Sequence, residues 1–152
     1  FTLGGTGGGF ANNEEELRDL DVKIPLLEGS IDDAAATLDS LGVGYVKIGN
    51  GIDVVAQYPL TGSSMSKNGS VYLYTEKGIE AEYTTVPDFS YMDVTGVNLT
   101  AENYGVNYSS TGVPASSYGA YVNSQEPAPG TQVPKGTVVE LEFKLPDELF
   151  AD

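Results

Sequence analysis

The chain has 152 residues, enough for one ordinary domain or two small ones. Its 22 acidic and 7 basic residues give a net charge of −15 with no histidine, a balance that repels nucleic acid and anionic lipid. With neither Cys nor His, disulfide frameworks, zinc-thiolate sites, thiol nucleophiles and the commonest general base are excluded. Hydrophobic residues make up 40% of the chain, so it can fold. Much of the remainder is Gly, Ser, Thr, Asn and Tyr, a composition frequent in extracellular β-rich modules. No apolar run nears the roughly 20 residues needed to cross a bilayer and no signal peptide is evident, so the piece is expected to be soluble.

Residues 1–21 read as a flexible tail and connector. Gly4, Gly5, Gly7, Gly8 and Gly9 hold no fixed backbone cheaply, and a phosphate-cradling loop would need a preceding strand, a following helix and usually a Lys. Glu14–Leu20 has acids where a helix start favours them and is expected to form a turn or two. After Ile24-Pro25, Ser30 followed by Asp33 resembles a capping box. Ile31, Ala34, Ala35, Leu38 and Leu41 then fall on one helical face before Gly42, predicting a helix over Ser30–Leu41. Val43–Ile48 and Asp53–Tyr58 flank Gly49-Asn50-Gly51, a hairpin signal. Val71–Tyr74 is a third expected strand, and 76–85 a linker.

The chain then repeats itself. Val86-Pro87 follows Ile24-Pro25 at a separation of 62, and Gln125-Glu126-Pro127 follows Gln57-Tyr58-Pro59 at 68. Lys67 and Lys135 keep the offset of 68, and with Asn68 as one extra residue Gly69-Ser70-Val71 matches Gly136-Thr137-Val138. Val94, Val97, Ala101 and Tyr104 before Gly105 predict a second helix over Asp93–Tyr104, weakened by Gly96 at about 1 kcal/mol against Ala. Its strands are expected at Val106–Tyr108, Tyr118–Gln125 and Thr137–Phe143, with Ser109–Ser117 a flexible loop. The chain is therefore read as α+β, with two tandem modules at 22–75 and 86–143, each one helix covering a three-stranded sheet. Residues 144–152 form an acidic end.

Hydrophobic-Pro, a capped helix ending in Leu-Gly-Val, then Gln-x-Pro-x-x-Gly and Lys-Gly-[Ser/Thr]-Val resemble the PASTA domain of penicillin-binding proteins and Ser/Thr kinases. The second copy, Gln125–Val138, keeps the pattern closely. The first departs at Ser64–Asn68, one residue longer, and at Leu60, where Pro or Ala is more usual. The resemblance implies a helix on a three-stranded sheet. It also implies an extracellular, wall-associated module without catalysis or cofactor, whose parent is a membrane-anchored peptidoglycan transpeptidase. The connector Glu14–Leu17 into Asp21–Pro25 and the two-copy length resemble the C-terminal region of class B penicillin-binding proteins, sporulation-type ones included. The implied function is to bind or sense peptidoglycan or muropeptides. A positioning role against the parent's own transpeptidase domain and the extracellular region of a PASTA kinase remain the alternatives.

Ser64-Met65-Ser66-Lys67 spells the S-x-x-K of an acyl-enzyme nucleophile, but its S-x-N neighbour overlaps it and a K-T-G is missing. Lys67 also aligns with Lys135 of the ordinary turn, so a turn is expected and no acylation by penicillin. Asp32 with Asp33, and Glu140 with Glu142, are expected on solvated faces rather than as a glycosidase pair, which needs a cleft and one raised pKa. The Asn68 and Asn98 sequons matter only in a secretory eukaryotic context. No metal ligand set is expected. The candidate ligand contacts are Tyr108, Tyr118 and Tyr121 around the longer loop, because Tyr offers a flat apolar face with a polar tip suited to sugars.

Overall fold

The computed structural model describes residues 21–146. All but the last residue of the expected tail, including Glu14–Leu20, and 147–152 of the acidic end lie outside them. In chain order the first module comprises β1 (Val22–Lys23), α1 (Ile31–Leu41), β2 (Gly44–Ile48), β3 (Ala56–Tyr58), β4 (Ser64–Met65) and β5 (Ser70–Tyr74). The second comprises β6 (Tyr83–Thr85), α2 (Val94–Tyr104), β7 (Asn107–Gly112), β8 (Tyr121–Glu126), β9 (Gln132–Pro134) and β10 (Val138–Lys144). Each has a three-stranded sheet, β2-β5-β3 or β7-β10-β8, plus a two-stranded ribbon, β1-β4 or β6-β9. The architecture is α+β, one helix and one three-stranded sheet per module.

Both helices start and stop where the sequence puts them. Ser30 Oγ accepts from the Asp33 N–H at 3.0 Å, and Asp93 Oδ1 from the Gly96 N–H at 2.9 Å, satisfying donors that the first turn leaves unpaired. Gly42 and Gly105 end the helices at φ 78° and 72°, where a side chain would be strained. Ala34 and Leu38 of α1 and Val97 and Ala101 of α2 are buried, whereas Tyr104, expected on the inner stripe, is 44% exposed. Two cores result: Ile24, Leu38, Met65, Val71 and Leu73 in one, Phe89, Val97, Val139, Leu141 and Phe143 in the other.

Two expectations about the sheets are overturned. The hairpin does not form, because β5 lies between β2 and β3, parallel to the first and antiparallel to the second. Val71 and Leu73 are fully buried, and the central place pairs this most apolar strand on both edges. Gly49–Gly51 instead passes the end of β5: Gly51 N–H donates to Thr75 Oγ1 at 3.0 Å, and a Cβ at Gly51 would lie 1.9 Å from the Thr75 carbonyl oxygen. That glycine serves close approach rather than a tight turn. Likewise Ser109–Gly112 is strand rather than loop, paired residue by residue with Glu140–Phe143 of β10.

The repeated Gln-x-Pro has a structural cause. Gln57 Oε1 accepts from the Leu27 N–H at 2.8 Å while its Nε2 donates to the carbonyls of Pro25 and Pro59 at 3.1 and 3.2 Å. Gln125 does the same with the Phe89 N–H (2.9 Å) and the carbonyls of Pro87 and Pro127 (3.0 and 3.2 Å). Each carboxamide ties the irregular entry segment, which has no ladder of its own, to the edge of the sheet. Both glutamines precede a cis peptide by one residue, Tyr58–Pro59 and Glu126–Pro127.

A third carboxamide joins the modules. Asn107 is 2% exposed; its Oδ1 accepts from the Ser70 N–H at 2.8 Å, and its Nδ2 donates to the carbonyls of Ser70 and Gly136 at 2.8 and 2.9 Å. Beside it the Ser66 N–H donates to the Tyr108 carbonyl at 2.7 Å, and Val138 packs on the first core. At the margin, Asp21 Oδ2 accepts from the Ser110 N–H at 3.1 Å, while Oδ1 is buried with no partner among the described residues.

Two outcomes follow from this packing. Gly96 has ordinary contacts at its missing Cβ, the nearest atom at 3.5 Å, and its N–H survives substitution. Gly96→Ala should therefore stabilise the protein by about 0.5–1 kcal/mol, measured by urea denaturation. Burial raises the Asp21 pKa above 3.8, more than its bond from Ser110 lowers it. A raised acid contributes its stability in full below the unfolded pKa and loses it as pH rises through the folded one. Asp21→Asn keeps an acceptor for Ser110, so its melting temperature should gain on wild type as pH rises from about 4, the ordinary carboxylate value. A constant difference would contradict the burial cost.

Candidate functional site

Among the shallow depressions on the described surface, three differ in chemistry. One of about 590 Å³ lies between the modules against Tyr58, Leu60, Ser63, Thr137 and Glu140. A second, about 290 Å³, opens beside the Asn107 junction against Val46, Tyr72, Asn98 and Glu102. The third, about 710 Å³, lies wholly on the second module, between the start of α2 and the start of β8. Tyr91, Tyr118 and Tyr121 line it.

That third depression is built by strain as well as by sequence. After Phe89 the chain turns sharply, with Asp88 Oδ1 accepting from the Ser90 N–H at 3.0 Å. Bonds from the Ser90 hydroxyl and N–H lower the Asp88 pKa below 3.8. Tyr91 follows at φ 66°, the one non-glycine among the described residues with positive φ. Such a backbone costs a bulky residue on the order of 1–2 kcal/mol and persists only where its surroundings fix it. Here β8 brackets it, with Tyr91 N–H donating to the Val122 carbonyl and Val122 N–H to the Met92 carbonyl, both at 2.9 Å. The ring is thereby held outward, 80% exposed, and stacked on Tyr121 with centroids 6.2 Å apart and planes 27° from parallel.

Tyr118 completes the surface. It is fully exposed at the tip of 113–120, a loop closed by Ser117 N–H to the Pro114 carbonyl (2.9 Å) and Ala120 N–H to the Ser117 carbonyl (3.0 Å). Ser116, Ser117 and the Asp93 carboxylate add polar groups to the rim. The combination can stack a flat, weakly polar ring and hydrogen-bond its edges.

The structure thus brings two of the three expected tyrosines together, Tyr118 and Tyr121. Tyr108 is elsewhere: it is 4% exposed in the second core, its hydroxyl donates to Asn98 Oδ1 at 2.7 Å, and its carbonyl holds the junction. Its place beside the long segment in sequence did not reveal that β7 runs inward. Tyr91 was missed. The signal available was the stretch before the first helix, where Gly29 adopts φ 88°; an aromatic in the corresponding stretch of the second copy keeps a conformation made for glycine.

The S-x-x-K segment is structural in form. Ser64 pairs with Lys23 in the β1-β4 ribbon, and the Ser66 hydroxyl accepts from the Asn68 N–H at 3.2 Å. Lys67 runs along Gly42 at the end of α1. Asp32 and Asp33 are exposed in the first turn of α1, and Glu142 accepts from Asn123 at 2.9 Å. Among the described residues no group of acids is placed to hold a metal ion, and no helix is long and apolar enough to cross a membrane.

Comparison with known proteins adds the following. A family model described as the PASTA domain matches residues 22–77 and 84–144. Penicillin binding protein 2X from Streptococcus thermophilus is 17% identical at a TM-score of 0.33, over 82% of this chain and 17% of that one. The three-PASTA-domain region of a Ser/Thr kinase from Staphylococcus aureus is 22% identical at 0.32, over 81% and 65%. The entire extracellular region of the Ser/Thr kinase PrkC from Staphylococcus aureus is 23% identical at 0.32, over 80% and 46%. The chain thus spans less than two thirds of each of these structures. No curated protein matches it.

Proposed function

The chain belongs to the PASTA domain family, and on that premise we propose that it is the peptidoglycan-binding region of a penicillin-binding protein, acting outside the cytoplasmic membrane. PASTA domains are non-catalytic binding modules of penicillin-binding proteins and kinases. The observation that carries the reading to this chain is the aromatic depression of Tyr91, Tyr118 and Tyr121 on the second module. Strain spent on holding a tyrosine outward adds nothing to the buried cores, and a sugar ring is a ligand whose apolar face matches it. The acidic surface favours the amine-bearing end of a stem peptide over its carboxylates, which suits a muropeptide.

A second reading has its own support. Leu26, Val55 and Leu60 are 60%, 42% and 63% exposed around the edge strand β3, an apolar strip suited to packing on another domain of the same parent. Under that reading the modules position a transpeptidase and the tyrosines are incidental.

Titration separates the two. A shallow stacked site supports millimolar binding, near 4 kcal/mol. Defined muropeptides added to the labelled protein should shift the amides of Tyr91, Ser117–Gly119 and Tyr121. Each stacked Tyr contributes about 0.5–1.5 kcal/mol, so Tyr118→Ala should weaken binding roughly two- to tenfold. No binding by the wild type, or equal affinity in the variant, removes this site and leaves the positioning role.

A further inference from the structure

The junction between the modules turns on three residues that the two copies do not share. Asn107 follows the helix-ending Gly105-Val106; the first module has Gly44 at that place, after Gly42-Val43, with no side chain to offer. Ser66, whose N–H reaches the Tyr108 carbonyl, aligns with Pro134, which has no N–H to donate. Asn68, the residue that lengthens the first module's turn, donates its N–H to the Ser66 hydroxyl and so shapes the loop that delivers the Ser66 N–H.

The two shared turn glycines are both spent at this contact. A Cβ on Gly69 would lie 1.8 Å from Asn107 Oδ1, and one on Gly136 would lie 2.5 Å from the Tyr58 carbonyl oxygen. The second module's turn is further covered by the linker. Lys135 N–H donates to the Glu82 carbonyl at 2.8 Å, Lys135 Nζ pairs with Glu82 at 3.5 Å, and the Tyr72 hydroxyl lies against Gly105.

The geometry points to a docking surface that is specific for order. The Ser66–Ser70 turn of the first module is a receptor for a PASTA module that begins the strand after its helix with Asn, and the second module fills it. No further module can add by the same contact at either end. The second module offers Pro134 and an occupied turn; the first offers Gly44 in place of Asn. The pair is therefore one rigid body closed at two modules, and the aromatic depression keeps a fixed position relative to Asp21. This inference is independent of what that depression binds.

Residual dipolar couplings on the intact chain test it. A single alignment tensor should fit the amides of both modules in the wild type. Asn107→Gly, which installs the first module's own residue, should require two tensors and shorten the rotational correlation time, while shifts around Leu38 and Phe89 stay native. Gly69→Ala, which pushes on Asn107 from the other side, should do the same and stands in if the first variant fails to fold. Gly96→Ala, whose neighbours are Met92 and Asp93, should change neither quantity. A wild type that needs two tensors, or an Asn107→Gly protein that keeps one, overturns the proposal. So does concentration-dependent association of the wild type in sedimentation velocity that Asn107→Gly abolishes, since it would show an open docking end.

Discussion

Three carboxamides, Gln57 and Asn107 buried and Gln125 half-buried, set the directions that two small cores cannot. Modules of this size bury a modest fraction of their surface, and apolar burial is indifferent to angle. A carboxamide is the opposite: it stabilises only when its oxygen meets a donor and its nitrogen meets acceptors. Here each of the three accepts one backbone N–H and donates to two backbone carbonyls. Leaving such groups buried and unpaired costs about 1–3 kcal/mol apiece, so displacement of a single side chain breaks three bonds to the backbone at once. The two glutamines fix entry segment to sheet within a module, and the asparagine fixes module to module.

What the two copies share makes the fold, and what distinguishes them makes everything else. The shared features are the N-caps, the left-handed glycines that stop the helices, the glutamine clamps and the Lys-Gly turns. The differences fall in two places. Asn107, Ser66 and Asn68 lie at the junction, and Tyr91 and Tyr118 lie at the aromatic depression. Duplication thus supplied a scaffold twice, while the surface work is divided: the first module's turn receives, and the second module presents the tyrosines.

The helices were legible in the sequence because period, cap and stop are all local, and Ser30, Asp93, Gly42 and Gly105 act within four residues of the bonds they control. Strand order was not legible, because it depends on pairings far along the chain. Val43–Ile48 and the segment ending at Tyr58 look like hairpin partners until β5 is seen to lie between them. Ser109–Gly112 reads as loop by composition and becomes strand because β10 arrives beside it. For the same reason Tyr108 looked available and is buried, while Tyr91 escaped notice because its exposure comes from a backbone conformation rather than a composition. The departure at Ser64–Asn68 was visible in sequence; its meaning as a docking turn required the structure.

The central claim is that side-chain carboxamides, rather than the apolar cores, lock the entry segments and the junction. Native-state hydrogen exchange at three amides tests it directly: Leu27, Phe89 and Ser70, whose acceptors are Gln57, Gln125 and Asn107. If the claim holds, these three exchange only through the global opening that also releases the amides of Val71, Leu73, Val139 and Leu141 in the central strands. Exchange of any of them through a lower-energy local opening, at the rate of exposed loop amides such as Gly78, would show that the clamp releases on its own and would contradict the account.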